Sequence, residues 1–202
     1  MHYGVDVAAT RFDDLDQAVV AYVKTITTAK ILEIGCGKGI LAAALVAQGG
    51  IVTAVDIKDA GNVENTPQLR FIQADAANLP STVINRHYNV IIIQRTLHYL
   101  PYEVANQLLT QLTQERNSKL YISVSGIETA IAKYYPAIDT ALSKRFAYLH
   151  TVGQDTFSIT APLCLYSKSE FLKLLRDAGW SVESIWTSAF GNHKAIATTT
   201  AW

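Results

Sequence analysis

The chain has 202 residues, half of them hydrophobic, which suits one domain with a sizeable core. Lys+Arg and Asp+Glu both total 17, so the formal net charge is zero. With no basic tail and no long like-charge run, nothing drives nonspecific binding to nucleic acid or to an anionic membrane. Cys36 and Cys164 form no CxxC pair, and the histidines (His2, His87, His98, His150, His193) show no metal-ligand spacing. We therefore expect reduced thiols and no metal. Residues 1–6 lack the basic start and apolar core of a signal peptide. The longest apolar region, 40–55, is broken by Gln48-Gly49-Gly50, as at a helix end and turn. The expectation is a soluble cytoplasmic protein.

In chain order, Gly4 to Phe12 has no clear period. Residues 13–27 read as an amphipathic helix: Leu15, Val19, Tyr22, Val23 and Ile26 recur at three- and four-residue spacing, and Asp13, Asp14 and Asp16 suit the dipole at its start. A first strand, Lys30 to Ile34, leads into Gly35-Cys36-Gly37-Lys38-Gly39, and a helix covers 38–48. Glycines at every second position between strand and helix mark a tight turn, or a place where a ligand comes too close for a Cβ. A P-loop needs G-x-x-x-x-G-K-[ST], which fails because Lys38 is followed by Gly39. The dinucleotide fingerprint G-x-G-x-x-G/A fits poorly because its last position is Ile40. What remains complete is E-x-G-x-G-x-G, from Glu33 to Gly39.

A second strand, Ile51 to Ile57, carries Asp56 at its end, 17 residues past Gly39. An acid there can accept hydrogen bonds from ribose hydroxyls. Residues 58–68, with Gly61 and Pro67, predict at most a helical turn. A third strand over 69–74 ends in Asp75-Ala76, and 78–87 predicts a short helix and loop. Residues 88–94 form a near-continuous apolar run, as in a central parallel strand. Pro101 suits a first helical turn, and Val104, Leu108, Leu109 and Leu112 trace a helix ending by Gln114. A fifth strand covers 119–124. Ile127 to Leu149 reads as helical with a break at Pro136, mixing Tyr134 and Tyr135 with Lys133, Lys144 and Arg145. Ser167-Lys168-Ser169-Glu170 is a capping box before a helix over 170–178, closed by Gly179. Two strands, about 181–188 and 194–201, flank a connection of hairpin composition.

The stretch Glu33 to Gly39 resembles the S-adenosylmethionine loop of class I methyltransferases, and the acids ending the second and third strands fall in that family's order. The resemblance covers roughly 12–125 and 166–202. It implies a single α/β domain over 1–202, a three-layer sandwich with a seven-stranded, mostly parallel sheet. The last strand runs antiparallel, helices lie on both faces, and a substrate-cap insertion occupies 126–166. It implies a cofactor cradle of Glu33, Gly35, Cys36, Gly37 and Gly39, with Asp56 on the ribose, Ile57 on the adenine face, Asp75 and Ala76 on the adenine edge, and Gln94 beside the methionine moiety. Arg11 could meet the cofactor carboxylate, since a leading segment in this family often folds over the cofactor. Leu97-His98 resembles a pair often found after the fourth strand. No [ND]-P-P-[YFW] motif stands there, which argues against the amino-methyltransferases that carry it.

The implied reaction is methyl transfer from S-adenosylmethionine to a nucleophilic atom of a small-molecule acceptor, leaving S-adenosylhomocysteine. His98 is the candidate proton acceptor, with a wall residue as the alternative. Tyr99, Tyr134 and Tyr135 are candidates for substrate contact. Three other readings stay open: a scaffold of the same fold that binds the cofactor without transferring a methyl, a NAD-dependent oxidoreductase, and an aminopropyltransferase. The acceptor and the oligomeric state are not legible.

Overall fold

A computed structural model of the chain describes residues 1–3, 12–59, 64–114 and 117–199. Seven strands form one sheet: β1 (Lys30–Ile34), β2 (Ile51–Asp56), β3 (Leu69–Gln73), β4 (Val90–Gln94), β5 (Lys119–Ser125), β6 (Trp180–Thr187) and β7 (Asn192–Thr199). The spatial order is β3-β2-β1-β4-β5-β7-β6. Strands β1 to β5 pair in parallel, and β7 runs antiparallel to both β5 and β6, as the terminal hairpin composition predicts.

The two-residue period of a strand sends alternate side chains to opposite faces. Leu32, Ile34, Ile91, Ile93, Leu120 and Ile122 face one way, onto α4 (Tyr102–Leu112) and α6 (Lys168–Asp177). Ile31, Val52, Ala54, Val90 and Ile92 face the other, onto α1 (Asp14–Val23) and α2 (Ile40–Val46). Both layers are therefore apolar, which is why β4 reads as an unbroken hydrophobic run. Each such fully buried Val, Leu or Ile side chain contributes about 1.5–3 kcal/mol. Two helices begin on capping boxes, Asp13 with Asp16 on α1 and Ser167 with Glu170 on α6.

The stretch 127–149 differs from its sequence expectation. It holds two 3₁₀ turns, Ala130–Tyr134 and Leu142–Lys144, instead of a broken helix. The α-helix of this region is α5 (Thr151–Phe157), which follows that stretch. Tertiary bonds replace the helical ladder. Tyr135 donates its hydroxyl to the carbonyls of Arg145 and Leu163, and Arg145 reaches the Thr140 and Leu165 carbonyls and Glu170. This region has its own apolar cluster, built on Tyr135, Leu149, Ile159, Leu163 and Leu165. The remaining α-helix, α3 (Ser81–Ile84), is a single turn.

Candidate active site

The chain steps outward from β1 through β2 to β3, then crosses back to β4 on the other side of β1. The sheet order therefore reverses between β1 and β4, and the crevice outside those carboxyl ends is where open α/β sheets bind ligands. Glu33, Gly35 to Gly39, Asp56, Asp75 and Gln94 all belong to the ends of β1 to β4 or to the turns just after them.

The turn after β1 needs its glycines. Gly35, Gly37 and Gly39 have φ of 78°, 54° and 72°, where a Cβ is disfavoured. At Gly35 a Cβ would also overlap the Thr96 side chain, so the turn after β4 packs directly onto this backbone. The amides of Gly35 and Cys36 both donate to the Val55 carbonyl, at 2.7 and 3.1 Å. Gly37 N–H donates to Asp56 Oδ2 at 2.8 Å, and Lys58 N–H donates to Oδ1 at 2.9 Å. A carboxylate has about four lone-pair sites, so Asp56 retains acceptor capacity toward the crevice. Ile57 beside it is 43% exposed, an open apolar surface at the strand end. Glu33 and Cys36 are buried.

The β3 end lies against the β2 end, with Ala74 N–H donating to the Asp56 carbonyl at 2.9 Å. Asp75 is exposed and caps a 3₁₀ turn over Ala76–Asn78 through Ala77 N–H at 2.9 Å. At the β4 end, Gln94 Nε2 donates to Asp16 Oδ1 at 2.6 Å, which ties α1 to the crevice. Gln94 Oε1 is buried and has no hydrogen-bond partner among the described residues. Burial raises the Asp16 carboxyl above its ordinary pKa. These observations fit an adenosyl cofactor: two carboxylates on neighbouring strand ends, a glycine turn on the next strand beside them, and a buried amide oxygen on the strand after that.

His98 is placed differently from an open base. It is 3% exposed, and its ring lies against Ser125, whose amide donates to Nδ1 at 3.3 Å. Burial, helped by the Arg95 charge, pushes its pKa down to about 3. The imidazole is thus neutral and weakly basic in this state. Tyr99 is half-buried and donates its hydroxyl to the Tyr3 carbonyl at 2.7 Å. Tyr135 sits in the apolar cluster of 126–166 with its hydroxyl already engaged, and Tyr134 packs edge-on against Phe157 at 6.0 Å. Tyr134 and Tyr135 share this apolar cluster with Tyr99. Arg11 lies outside the described residues.

Two residues at the site carry no sequence signal. Tyr3 stacks edge-on against Tyr99 at 5.0 Å under the Lys58 ammonium, 5.3 Å from its ring centroid. Burial first, then the charges of Asp75 and Asp56, raises its pKa. The start of the chain is held there by long-range pairing: Thr160 and Ala161 donate to the His2 carbonyl. No local pattern announces such a bridge. Arg95 has φ of 50°, unusual for a residue with a Cβ, and its amide donates to the Ser123 carbonyl and hydroxyl at 3.0 and 3.1 Å. Such strain costs of order 1–3 kcal/mol and concentrates at functional sites.

Comparisons with known proteins bear on this geometry. A family profile described as a methyltransferase domain matches residues 31–115, from β1 past the end of α4. A ubiquinone biosynthesis O-methyltransferase of Rickettsia canadensis (strain McKiel) is 28% identical over 183 residues, covering 87% of this chain and 72% of that protein. Among solved structures, an S-adenosylmethionine-dependent methyltransferase of Methanosarcina mazei superposes with a TM-score of 0.66 at 17% identity, covering 91% of this chain and 98% of the other. The 1,6-didemethyltoxoflavin-N1-methyltransferase of Burkholderia thailandensis, solved with bound 1,6-didemethyltoxoflavin and S-adenosylhomocysteine, gives 0.67 at 17% identity, covering 97% and 82%. At these identities the solved structures establish the fold. The matched stretch includes β1, the glycine turn and the acids at the β2 and β3 ends, and profile, relative and fold agree in making the chain similar to the class I S-adenosylmethionine-dependent methyltransferases.

Proposed function

We propose that the chain transfers a methyl group from S-adenosylmethionine to a small-molecule acceptor, with the turn from Gly35 to Gly39, Asp56 and Asp75 as the cofactor cradle. The hydrogen bond from Gly37 to Asp56 carries this reading, because it couples the glycine turn to the second-strand acid at the place where the sheet order reverses. Asp56 would accept from the ribose, Ile57 would cover the adenine face, and Asp75 with Ala76 would meet the adenine edge. Glu33, Cys36 and Gln94 would line the methionine end.

The cofactor supplies a methyl on a positively charged sulfur, so the electrophile arrives activated. What the chain contributes is alignment and exclusion of water, and orientation alone can be worth about 7–11 kcal/mol. The buried, neutral His98 fits a wall that shapes this space rather than a base. Residues 126–166 form the cap in this reading, supported by their separate apolar cluster and their pairing with residues 2 and 3 over the site. A single domain over 1–202 and a cytoplasmic location complete the proposal. Cys36 and Cys164 pack in clusters on opposite faces of the sheet, which suits a protein that uses no disulfide. Among the described residues, no helix is long and apolar enough to cross a membrane.

The test is calorimetric titration of the full chain with S-adenosylmethionine and S-adenosylhomocysteine, with NAD as control. Both adenosyl ligands should bind and NAD should not, and Asp56→Ala should weaken them by about 1–3 kcal/mol, as for lost hydrogen bonds to a charged acceptor. NAD binding without adenosyl-ligand binding would sink the reading. Unchanged affinity in folded Asp56→Ala would remove Asp56 from the cradle.

A further inference from the structure

A cavity of about 180 Å³ opens beside the proposed methyl-transfer site, between the start of α1, the β4 and β5 ends and the turn from β6 to β7. Its walls include Asp13, Asp14, Arg95, Ser123, Phe190 and Lys194. Whole small-molecule sites run to about 300–1,000 Å³, so this space suits one end of a ligand rather than all of it.

The charges lining it are unevenly engaged. Lys194 is 4% exposed and bridges Asp13 at 2.7 Å and Asp14. Asp13 also accepts from the amides of Leu15 and Asp16, and Asp14 from Leu15 N–H and from Trp186 Nε1 at 2.8 Å. Burial alone would raise the Asp14 pKa, but the bonds from Lys194 and Trp186 hold it below the ordinary value, so it stays a carboxylate. Both acids and the ammonium are thus engaged with each other and with α1. Arg95 is the exception. Its backbone is held on Ser123, while its guanidinium makes no hydrogen bond or ion pair among the described residues. The fork of N–H donors it presents matches a carboxylate in two-point geometry. Phe190, 61% exposed, lines the same cavity with its ring. Arg95 directly follows Gln94, and its charge is felt at Asp16, His98 and Tyr99, so a group held there lies next to the crevice.

We propose that Arg95 selects the methyl acceptor, by taking the carboxylate of a small aromatic acid into this cavity with Phe190 against its ring. This deepens the function proposed above and rests on it.

The experiment uses the full chain, with and without saturating S-adenosylhomocysteine. Benzoate and phenylacetate are titrated against their neutral amides, benzamide and phenylacetamide. The variant is Arg95→Asn, because asparagine tolerates the left-handed backbone at this position. Expected are at least tenfold tighter binding of the acids than of the amides, loss of that preference in Arg95→Asn, and unchanged S-adenosylhomocysteine affinity. Failure of the acids to bind, equal binding of acids and amides, or a preference that survives in Arg95→Asn would overturn the proposal. So would a variant that weakens S-adenosylhomocysteine but not 5′-methylthioadenosine, which lacks the carboxylate, because Arg95 would then read the cofactor. If the wild-type chain binds no S-adenosylhomocysteine, the methyltransferase assignment is what fails, and the acid–amide comparison on the unliganded chain still decides the role of Arg95.

Discussion

Asp56 and His98 show how differently single residues were legible. An acid closing an apolar run is visible in the sequence because the end of a strand is a defined place. That the same carboxylate also fastens the Gly37 and Lys58 amides needs the turn to be folded against it. His98 is visible as a histidine near the fourth strand end, and its chemistry is set by burial that no local pattern shows. Its pKa falls from the ordinary 6.5 to about 3, through burial first and the Arg95 charge second. The unfolded chain therefore binds this proton below about pH 6.5 while the native protein does not. The stability this group contributes is complete above the unfolded pKa and is lost as the pH falls toward 3, by up to about 1.4 kcal/mol per pH unit. Urea midpoints measured from pH 7 to 4.5 should fall less steeply in His98→Gln than in the wild type. Parallel curves would mean that His98 charges in the native state.

At the scale of elements, the turn joining β1 to α2 is the best-defined piece. Gly35 combines a φ of 78° with contact from Thr96. Gly35→Ala should destabilise the fold by about 1–3 kcal/mol from the backbone alone, and by more from the collision. Chemical denaturation checks this. Thr96→Ala in the Gly35→Ala background should restore only some of the part due to overlap, because the residue-96 Cβ still stands 2.7 Å from the added one, and a Gly35→Ala protein as stable as wild type would show that the turn has another conformation. The stretch 127–149 was the misread element. Its apolar spacing suggests a helix, but Tyr135 and Arg145 bond the backbone carbonyls of Arg145 and Thr140 within the stretch and of Leu163 and Leu165 beyond it. In the short α5, Gly153 leaves room for Tyr134, which a Cβ there would overlap. Both features depend on partners outside the local window.

At the scale of the whole molecule, the crevice is formed by segments far apart in the chain: the ends of β1 to β4, the start of α1, and residues 2 and 3 pinned across the site by Thr160 and Ala161. A ligand that binds only this assembled state must stabilise all of it. S-adenosylhomocysteine at a hundredfold over its Kd should add about 2.7 kcal/mol. For a chain of this size that raises Tm by roughly 5–11 °C. A thermal scan with no shift at a concentration that saturates by calorimetry would mean that the ligand also binds the unfolded chain.

The sequence by itself determined the seven strands, the turn with three glycines, the acids closing β2 and β3, and the antiparallel ending. Each rests on a local rule: two-residue periodicity, backbone freedom at glycine, or the residue at a strand terminus. Only the tertiary structure decided that His98 is buried, that the Tyr135 hydroxyl is engaged by backbone carbonyls, that Tyr3 packs against Tyr99, and that Arg95 faces a cavity with its guanidinium unengaged among the described residues. Those outcomes depend on desolvation and on contacts between distant segments, which exist only once the sheet has brought the segments together.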